Sequence, residues 1–217
     1  MTQKRLAIID LDGTLLRRTS SEYSFFRFLV LRGKISPIRL ASFFLTFGRD
    51  ALKLGLRQAL GWNATYLRGE TPARVAVWAG KFGKAYLRDA VPEGLQKRIR
   101  GFKAQGCLII LLSGSLQVLV NELREKLAVD FVIGRELEIV GGKLTGHRLG
   151  IYPYARQKVE ALFKRIKPAE IDWKESWALA DRLSDLPVLE LVGHPVAVHP
   201  TAGLRRHALQ HGWEIIG

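Results

Sequence analysis

Two aspartates, Asp10 and Asp12, close an apolar run and are followed by Gly13 and Thr14. In an extended segment residues i and i+2 project to the same side, so this spacing delivers two carboxylates together. Their charges repel unless a cation sits between them or one carries a proton. The same residues could also be an ordinary strand-end turn with Asp-Gly at its tip. The pair therefore acquires chemical meaning only from what else the chain brings to it.

Three further places carry suitable groups. Ser113-Gly114-Ser115 follows a second apolar run, and a serine with the N–H groups of a following helix suits a phosphate oxygen. Lys158 falls in the first turns of an expected helix, where the helix dipole does not favour a cation. Asp181-Arg182-Leu183-Ser184-Asp185 adds two carboxylates, the oxygen ligands a hard cation such as Mg²⁺ requires. Singly, each has a plain reading: a helix N-cap, a solvated lysine, an acidic turn.

The elements that must position these groups follow from periodicity. Residues 5–11 read as a buried strand ending in a turn, 92–106 as a helix, and 107–113 as a second buried strand leading into a helix over 115–128. Residues 131–133 read as a short strand and 135–149 as a hairpin around Gly141-Gly142. A helix over 154–167, a strand over 176–181, a helix over 184–193, a strand over 195–200 and a helix over 201–212 complete the alternation. Strands alternating with helices predict an α/β fold, a parallel sheet covered on both faces. Ligands bind such sheets beyond the carboxyl ends of the strands, which here carry Asp10, Ser113 and Asp181. Residues 16–91 break this rhythm. FFRFLVLRGK, the stretch from Ile38 to Trp62, and TPARVAVWAGKFGKAYL all read as helices with apolar faces. They are expected to form a helical insertion over the site.

Composition agrees with a globular chain: 217 residues, 47% hydrophobic and 25% charged. The one cysteine, Cys107, excludes an intramolecular disulfide and reads as a buried thiol. The first residues do not read as a signal peptide, and no window offers ~18 uncharged apolar residues for a membrane span. The net charge of +14 is concentrated. Residues 17–92 hold 14 basic and 4 acidic residues, a balance of +10, which points to an anionic partner.

The four elements resemble, in order and spacing, the four motifs of the haloacid dehalogenase (HAD) superfamily of phosphohydrolases. The resemblance is to subfamily IB, the phosphoserine-phosphatase-like branch. It rests on DLDGTLL (10–16), LLSGS (111–115), QKVEAL (157–162) and DRLSDLPVLELVGHPVAVHP (181–200). It implies a Rossmann-like catalytic core of residues 1–15 and 92–217 with a helical cap of type C1 over 16–91. It further implies a Mg²⁺-dependent phosphomonoesterase working through an aspartyl-phosphate on a small anionic metabolite, in the cytoplasm. Asp10 would be the nucleophile and Asp12 the general acid and base. Ser113, Gly114 and Lys158 would hold the phosphoryl group. Asp10, the Asp12 carbonyl, Asp181 and Asp185 would bind or orient the metal.

Two departures bear on this. Arg182 follows Asp181 where the family has a small residue; it could bind substrate phosphate, but its head is rather expected in solvent. Phosphoserine phosphatases carry a glutamate nine residues after the nucleophile to bind the substrate amine. Here that position is Thr19, with Glu22 nearby but out of register, which argues against phosphoserine.

Other features have competing readings. His207 and His211 stand at i, i+4, a metal-ligand spacing with no evident third ligand, and His194 and His199 flank an expected core strand. Phe25, Phe26, Phe28, Leu29, Phe43, Phe44, Leu45 and Phe47, with Lys34, Arg39, Arg49, Lys53 and Arg57, read as a cap core with a basic rim. The alternative is a surface facing anionic lipid, which would make the chain a phosphatidylglycerophosphatase-like lipid-phosphate phosphatase at the membrane. A basic nucleic-acid-binding module is a third reading. No recognition motif supports it, and no specific nucleic acid is expected.

Overall fold

The computed structural model describes residues 3–17, 20–54, 64–87 and 89–217. Its centre is a seven-stranded sheet in the order β4-β3-β2-β1-β5-β6-β7. The strands are β1 (Leu6–Ile9), β2 (Leu108–Leu116), β3 (Phe131–Val140), β4 (Lys143–Leu149), β5 (Trp177–Ala180), β6 (His194–Val198) and β7 (Glu214–Ile216). Only β3 and β4 pair antiparallel, joined through Gly141 and Gly142, both at positive φ. β1 lies between β2 and β5, so the order reverses direction at β1. That is the switch point where α/β sheets place ligands.

The strands are apolar on both faces because both are covered. Ala7, Ile9, Ile109, Leu111, Leu179, Val196 and Val198 enter one buried cluster. Leu6, Ile8, Ile110, Leu112, Ala178, Ala180 and Ala197 enter the other. The first face packs on α1 (Ser21–Leu31), α3 (Pro72–Phe82), α4 (Glu93–Ala104) and α5 (Gln117–Asn121). The second packs on α6 (Arg156–Phe163), the single turn α7 (Leu186–Leu189) and α8 (Ala202–Gln210). The regular elements described between β1 and α4 are helical. Beside α1 and α3 they are α2 (Pro37–Leu54), a 3₁₀ turn at Thr65–Leu67 and a π-helical turn at Gly83–Leu87. Phe25, Phe28 and Leu29 of α1 and Val75, Ala79 and Phe82 of α3 share one apolar cluster with the sheet. Residues 64–70 run along the free edge of β4. Leu144 donates to Glu70 O (2.9 Å) and Gly69 donates to Leu144 O (2.8 Å), covering backbone groups an edge strand would expose.

Several expectations are corrected. The helix expected over 115–128 is only Gln117–Asn121, because β2 runs on to Leu116, which pairs with Arg135. The short strand expected over 131–133 extends to Val140, since it supplies one arm of the hairpin. The helix over 184–193 reduces to a 3₁₀ turn at Leu183–Asp185 and α7. β7, three residues long, carries too little pattern to be expected, yet it pairs parallel with β6. Cys107 is buried as expected. No helix among the described residues is long and apolar enough to cross a membrane.

Candidate active site

β1 ends at Ile9, and the chain then folds into a tight loop. The amides of Leu15 and Leu16 both donate to Leu11 O, and that of Gly13 donates to Leu16 O. This loop presents Asp10 at the switch point. Asp10 is buried; its Oδ1 accepts from Lys158 Nζ at 2.6 Å and its Oδ2 from Thr14 Oγ1 at 3.2 Å. Lys158 comes from the first turn of α6 and also reaches Asp185 Oδ1 at 2.5 Å. Its placement against the helix dipole is offset by these two carboxylates. Burial opposes its charge, but Asp10 and Asp185 outweigh burial and hold its pKa above the ordinary lysine value.

Asp181 follows β5, and Asp185 sits in the 3₁₀ turn after it. One carboxylate oxygen from each of Asp10, Asp181 and Asp185 lies within 4.8 Å of the others, and all three residues are buried. Burial first, and then the neighbouring charge of Asp10, push Asp181 up to about 6. Asp185 is also raised, by burial against the pull of Lys158. Asp181 Oδ2 accepts from Arg182 Nε at 3.1 Å, while its Oδ1 is buried without a hydrogen-bond partner. A buried carboxylate oxygen without a donor costs free energy unless something cationic meets it. Three clustered oxygen donors, one of them orphaned, fit a hard divalent cation. The Arg182 side chain is 62% exposed, so its head is largely in solvent as expected, although its Nε is tied to Asp181. Gly13 is fixed here by conformation and space: its φ is +98°, and a Cβ would lie 2.1 Å from Asp181 Oδ2.

Asp12 occupies a different environment from Asp10. Its Oδ1 accepts from the backbone N–H of Ser21 at 2.7 Å and its Oδ2 from the hydroxyl of Ser115. Burial pushes its pKa up to about 6; the Ser115 and Ser21 hydrogen bonds oppose this and the charge of Asp10 adds to it. An acid with that pKa can both give and take a proton near neutrality.

Ser113 is buried, and its Oγ accepts from Ser115 N at 3.1 Å. Gly114 lies under the Tyr152 ring; a Cβ there would come within 3.2 Å of it. The helix expected from residue 115 begins only at Gln117, because the strand continues through Leu116. The sequence reading gave no role to Ser21, Ser115 or Arg135. Ser115 was visible inside LLSGS, but its contact with Asp12 spans 103 residues, and no local pattern carries such a contact. Glu22 is present as noted, but its carboxylate is taken by the fully buried Arg135. Thr19 and Arg57 lie outside the described residues.

His207 and His211 stack on each other at 4.0 Å beside Trp213, and His194 stacks on Trp177 at 4.6 Å. Among the described residues the only group of three or more side chains placed to hold a metal is the aspartate one. The aromatic list divides. Phe25, Phe28 and Leu29 are buried as the cap-core reading expected, while Phe44 and Leu45 are exposed.

The sequence model of the haloacid dehalogenase-like hydrolases matches residues 7–190. A histidinol-phosphatase of Neisseria meningitidis is 24% identical over 220 residues, covering 98% of this chain and 98% of that protein. A phosphoserine phosphatase of Mycobacterium tuberculosis is 25% identical over 218 residues, covering 96% of this chain and 69% of that protein. A Bordetella pertussis protein of unknown function has the same fold, with a TM-score of 0.84 and 25% identity, covering 100% of this chain and 99% of that one.

Proposed function

Because the chain belongs to the haloacid dehalogenase-like hydrolase family, we propose that it is a Mg²⁺-dependent phosphomonoesterase acting on a small phosphorylated metabolite through an aspartyl-phosphate on Asp10. The observation that carries this reading is the convergence of Asp10, Lys158, Asp181 and Asp185 in one buried cluster, with Asp12 held apart in its own hydrogen-bond set. Asp10, Asp181 and Asp185 would hold the cation, together with the Asp12 carbonyl. Bound there, it would neutralise carboxylate and phosphoryl charge.

The chain's own groups divide the rest. A carboxylate oxygen of Asp10 attacks phosphorus. As the bond to the leaving oxygen breaks, Asp12 gives that oxygen its proton and the alcohol departs. Asp12, now ionised, takes a proton from water as the water attacks phosphorus, which frees Asp10 and phosphate. Lys158 offsets the charge of Asp10 and of the phosphoryl group, and Ser113 with the Gly114 N–H holds phosphoryl oxygens. Residues 16–91 serve as the cap that excludes water and selects the ester, over a core of 1–15 and 92–217. The histidinol-phosphatase and phosphoserine phosphatase relatives favour a small polar phosphate ester. Glu22 is committed to an ion pair with the buried Arg135, which does not favour it as the group that binds a substrate ammonium.

A second reading, a lipid phosphate at an anionic membrane, is favoured by one observation. Ile38, Leu45 and Leu52, seven residues apart along α2, are 82%, 77% and 91% exposed, with exposed Arg49 and Lys53 beside them. It predicts binding to anionic vesicles that weakens with salt.

A phosphate-ester panel with Mg²⁺ or with chelator, run on wild type and Asp10→Asn, tests the main reading. Turnover that needs Mg²⁺ and is lost in Asp10→Asn is expected. Turnover unaffected by Asp10→Asn would sink the assigned mechanism.

A further inference from the structure

We propose that Ser115 and the first turn of α1 are positioning residues for Asp12: they orient its carboxyl group toward the leaving oxygen. The proposal rests on Asp12 being the general acid.

Three segments far apart in sequence meet at Asp12. The Ser21 N–H donates to Oδ1 at 2.7 Å, and the Ser115 hydroxyl donates to Oδ2. The Ser21 hydroxyl lies 2.8 Å from Ser115 Oγ and 3.2 Å from Asp12 Oδ2. It has one hydrogen and cannot serve both acceptors. Given to the nearer one, that hydrogen leaves the Ser115 hydrogen for Asp12. The result is a directed chain from Ser21 through Ser115 to Oδ2, with Oδ1 held separately by the backbone. Both oxygens are thereby fixed and the carboxyl plane cannot rotate. Only the lone pairs turned away from the serines remain for a reacting group.

The donor at Oδ1 is itself fixed. Ser21 and Glu22 are the first two residues of α1, and Glu22 pairs with Arg135, whose side chain has no solvent exposure. Taking one partner away would leave a buried charge unpaired, so the pair resists separation even where its net contribution to stability is small. Arg135 belongs to β3 and pairs in register with Leu116, the residue after Ser115. The two serines that grip Asp12 are thus tied to one another through the sheet as well as through their hydroxyls. General acid catalysis needs the proton within hydrogen-bond reach of the leaving oxygen, and small misplacements are costly in rate.

Purely structural contacts would lower all turnover alike, whereas positioning of an acid acts selectively. Nitrophenolate leaves without a proton; an alkoxide needs one. kcat/KM covers the steps up to alcohol release, so the ratio of kcat/KM for p-nitrophenyl phosphate to that for glycerol phosphate isolates the proton donor. Asp12→Asn, Ser115→Ala and Ser21→Ala are compared on both esters. Asp12→Asn is expected to raise the ratio most. Ser115→Ala should raise it about tenfold, part of the roughly 10²–10⁴ a general acid contributes. Ser21→Ala, which keeps the backbone donor, should raise it less. If Asp12→Asn leaves the ratio unchanged, Asp12 is not the acid and the reading beneath the proposal fails. If Asp12→Asn raises it while both serine variants lower the two esters equally, the proposal itself is overturned.

Discussion

Asp181→Asn should stabilise the metal-free protein while abolishing its proposed activity. In the fold Asp181 ionises at about 6 instead of 3.8, because it is buried and faces the charge of Asp10. A carboxyl whose folded pKa is raised contributes stability that is fully present below its unfolded pKa. That stability is lost as pH rises through the folded value, so the window here runs from 3.8 to about 6. About two units at 1.36 kcal/mol each would amount to ~3 kcal/mol. Relaxation of the surrounding groups around the ionised carboxylate lowers this to about 2 kcal/mol. Asn has the same shape and no charge, so it escapes this cost. For a chain of 217 residues, ~2–4 °C per kcal/mol puts the expected rise in Tm at about 4–8 °C near pH 7.5. By about pH 4.5 the wild-type carboxyl is largely protonated in the fold, and most of the difference disappears. Thermal melting in chelator at both pH values reads this directly. Mg²⁺ should then raise the Tm of wild type and leave the variant unmoved. A variant less stable than wild type near pH 7.5 in chelator, or a difference independent of pH, would refute the electrostatic reasoning.

Two further perturbations probe the surroundings. Gly13→Ala forces a side chain to φ +98° with its Cβ 2.1 Å from Asp181 Oδ2; turnover is expected to be lost and stability to fall by at least ~1 kcal/mol. Undiminished turnover would show that the loop has room the geometry denies it. Glu70→Gln removes a carboxylate that accepts from Arg39 and from Arg74, the latter at 3.2 Å. Burial works against the Glu70 charge, but the two arginines prevail and hold its pKa below the ordinary 4.5. A depressed carboxylate contributes stability above its unfolded pKa and loses it as pH falls through the folded value. The variant should be destabilised by about 1–2 kcal/mol near neutral pH, and the gap should close below 4.5. Urea titrations at the two pH values would settle it, and a gap that widens in acid would contradict the assignment.

The sheet was legible because both of its faces are covered. LAII and CLIILL are continuous apolar runs, a pattern that alternation on an open sheet would not produce. Asp10 and Asp181 were legible because each directly follows such a run, and the backbone alone carries them to the carboxyl edge. Lys158 needed the family resemblance, since on a helix one lysine reads like any other. Its use is visible only once Asp10 and Asp185 are 2.6 and 2.5 Å away. The lengths of β2 and β3 were misread for a different reason. Gly114 and Gly134 look like strand breakers, yet the pairing of Leu116 with Arg135 carries both strands past them. At Gly134 a Cβ would lie 2.7 Å from Gln117 Cα, so the glycine marks a close backbone approach within continuing structure.

The two aspartates of the opening motif differ through long-range contacts. Asp10 meets Lys158 and Thr14, Asp12 meets Ser21 and Ser115, and only Thr14 is a near neighbour in sequence. Backbone spacing carries both residues to one loop, but Asp10 pairs with Lys158 of α6, whereas Asp12 is held by Ser21 of α1 and Ser115 of β2, the division of partners that the proposed nucleophile and acid would need. Residues 16–91 would therefore take part in the proposed chemistry as well as in the proposed choice of substrate. The first turn of α1 supplies the donor that holds Asp12 Oδ1, beside Ser115 of β2 at Oδ2, and a buried ion pair anchors that turn to the sheet. On the proposed mechanism, a substrate admitted beneath that turn would have to place its leaving oxygen against the lone pairs of Asp12 that the serines leave free.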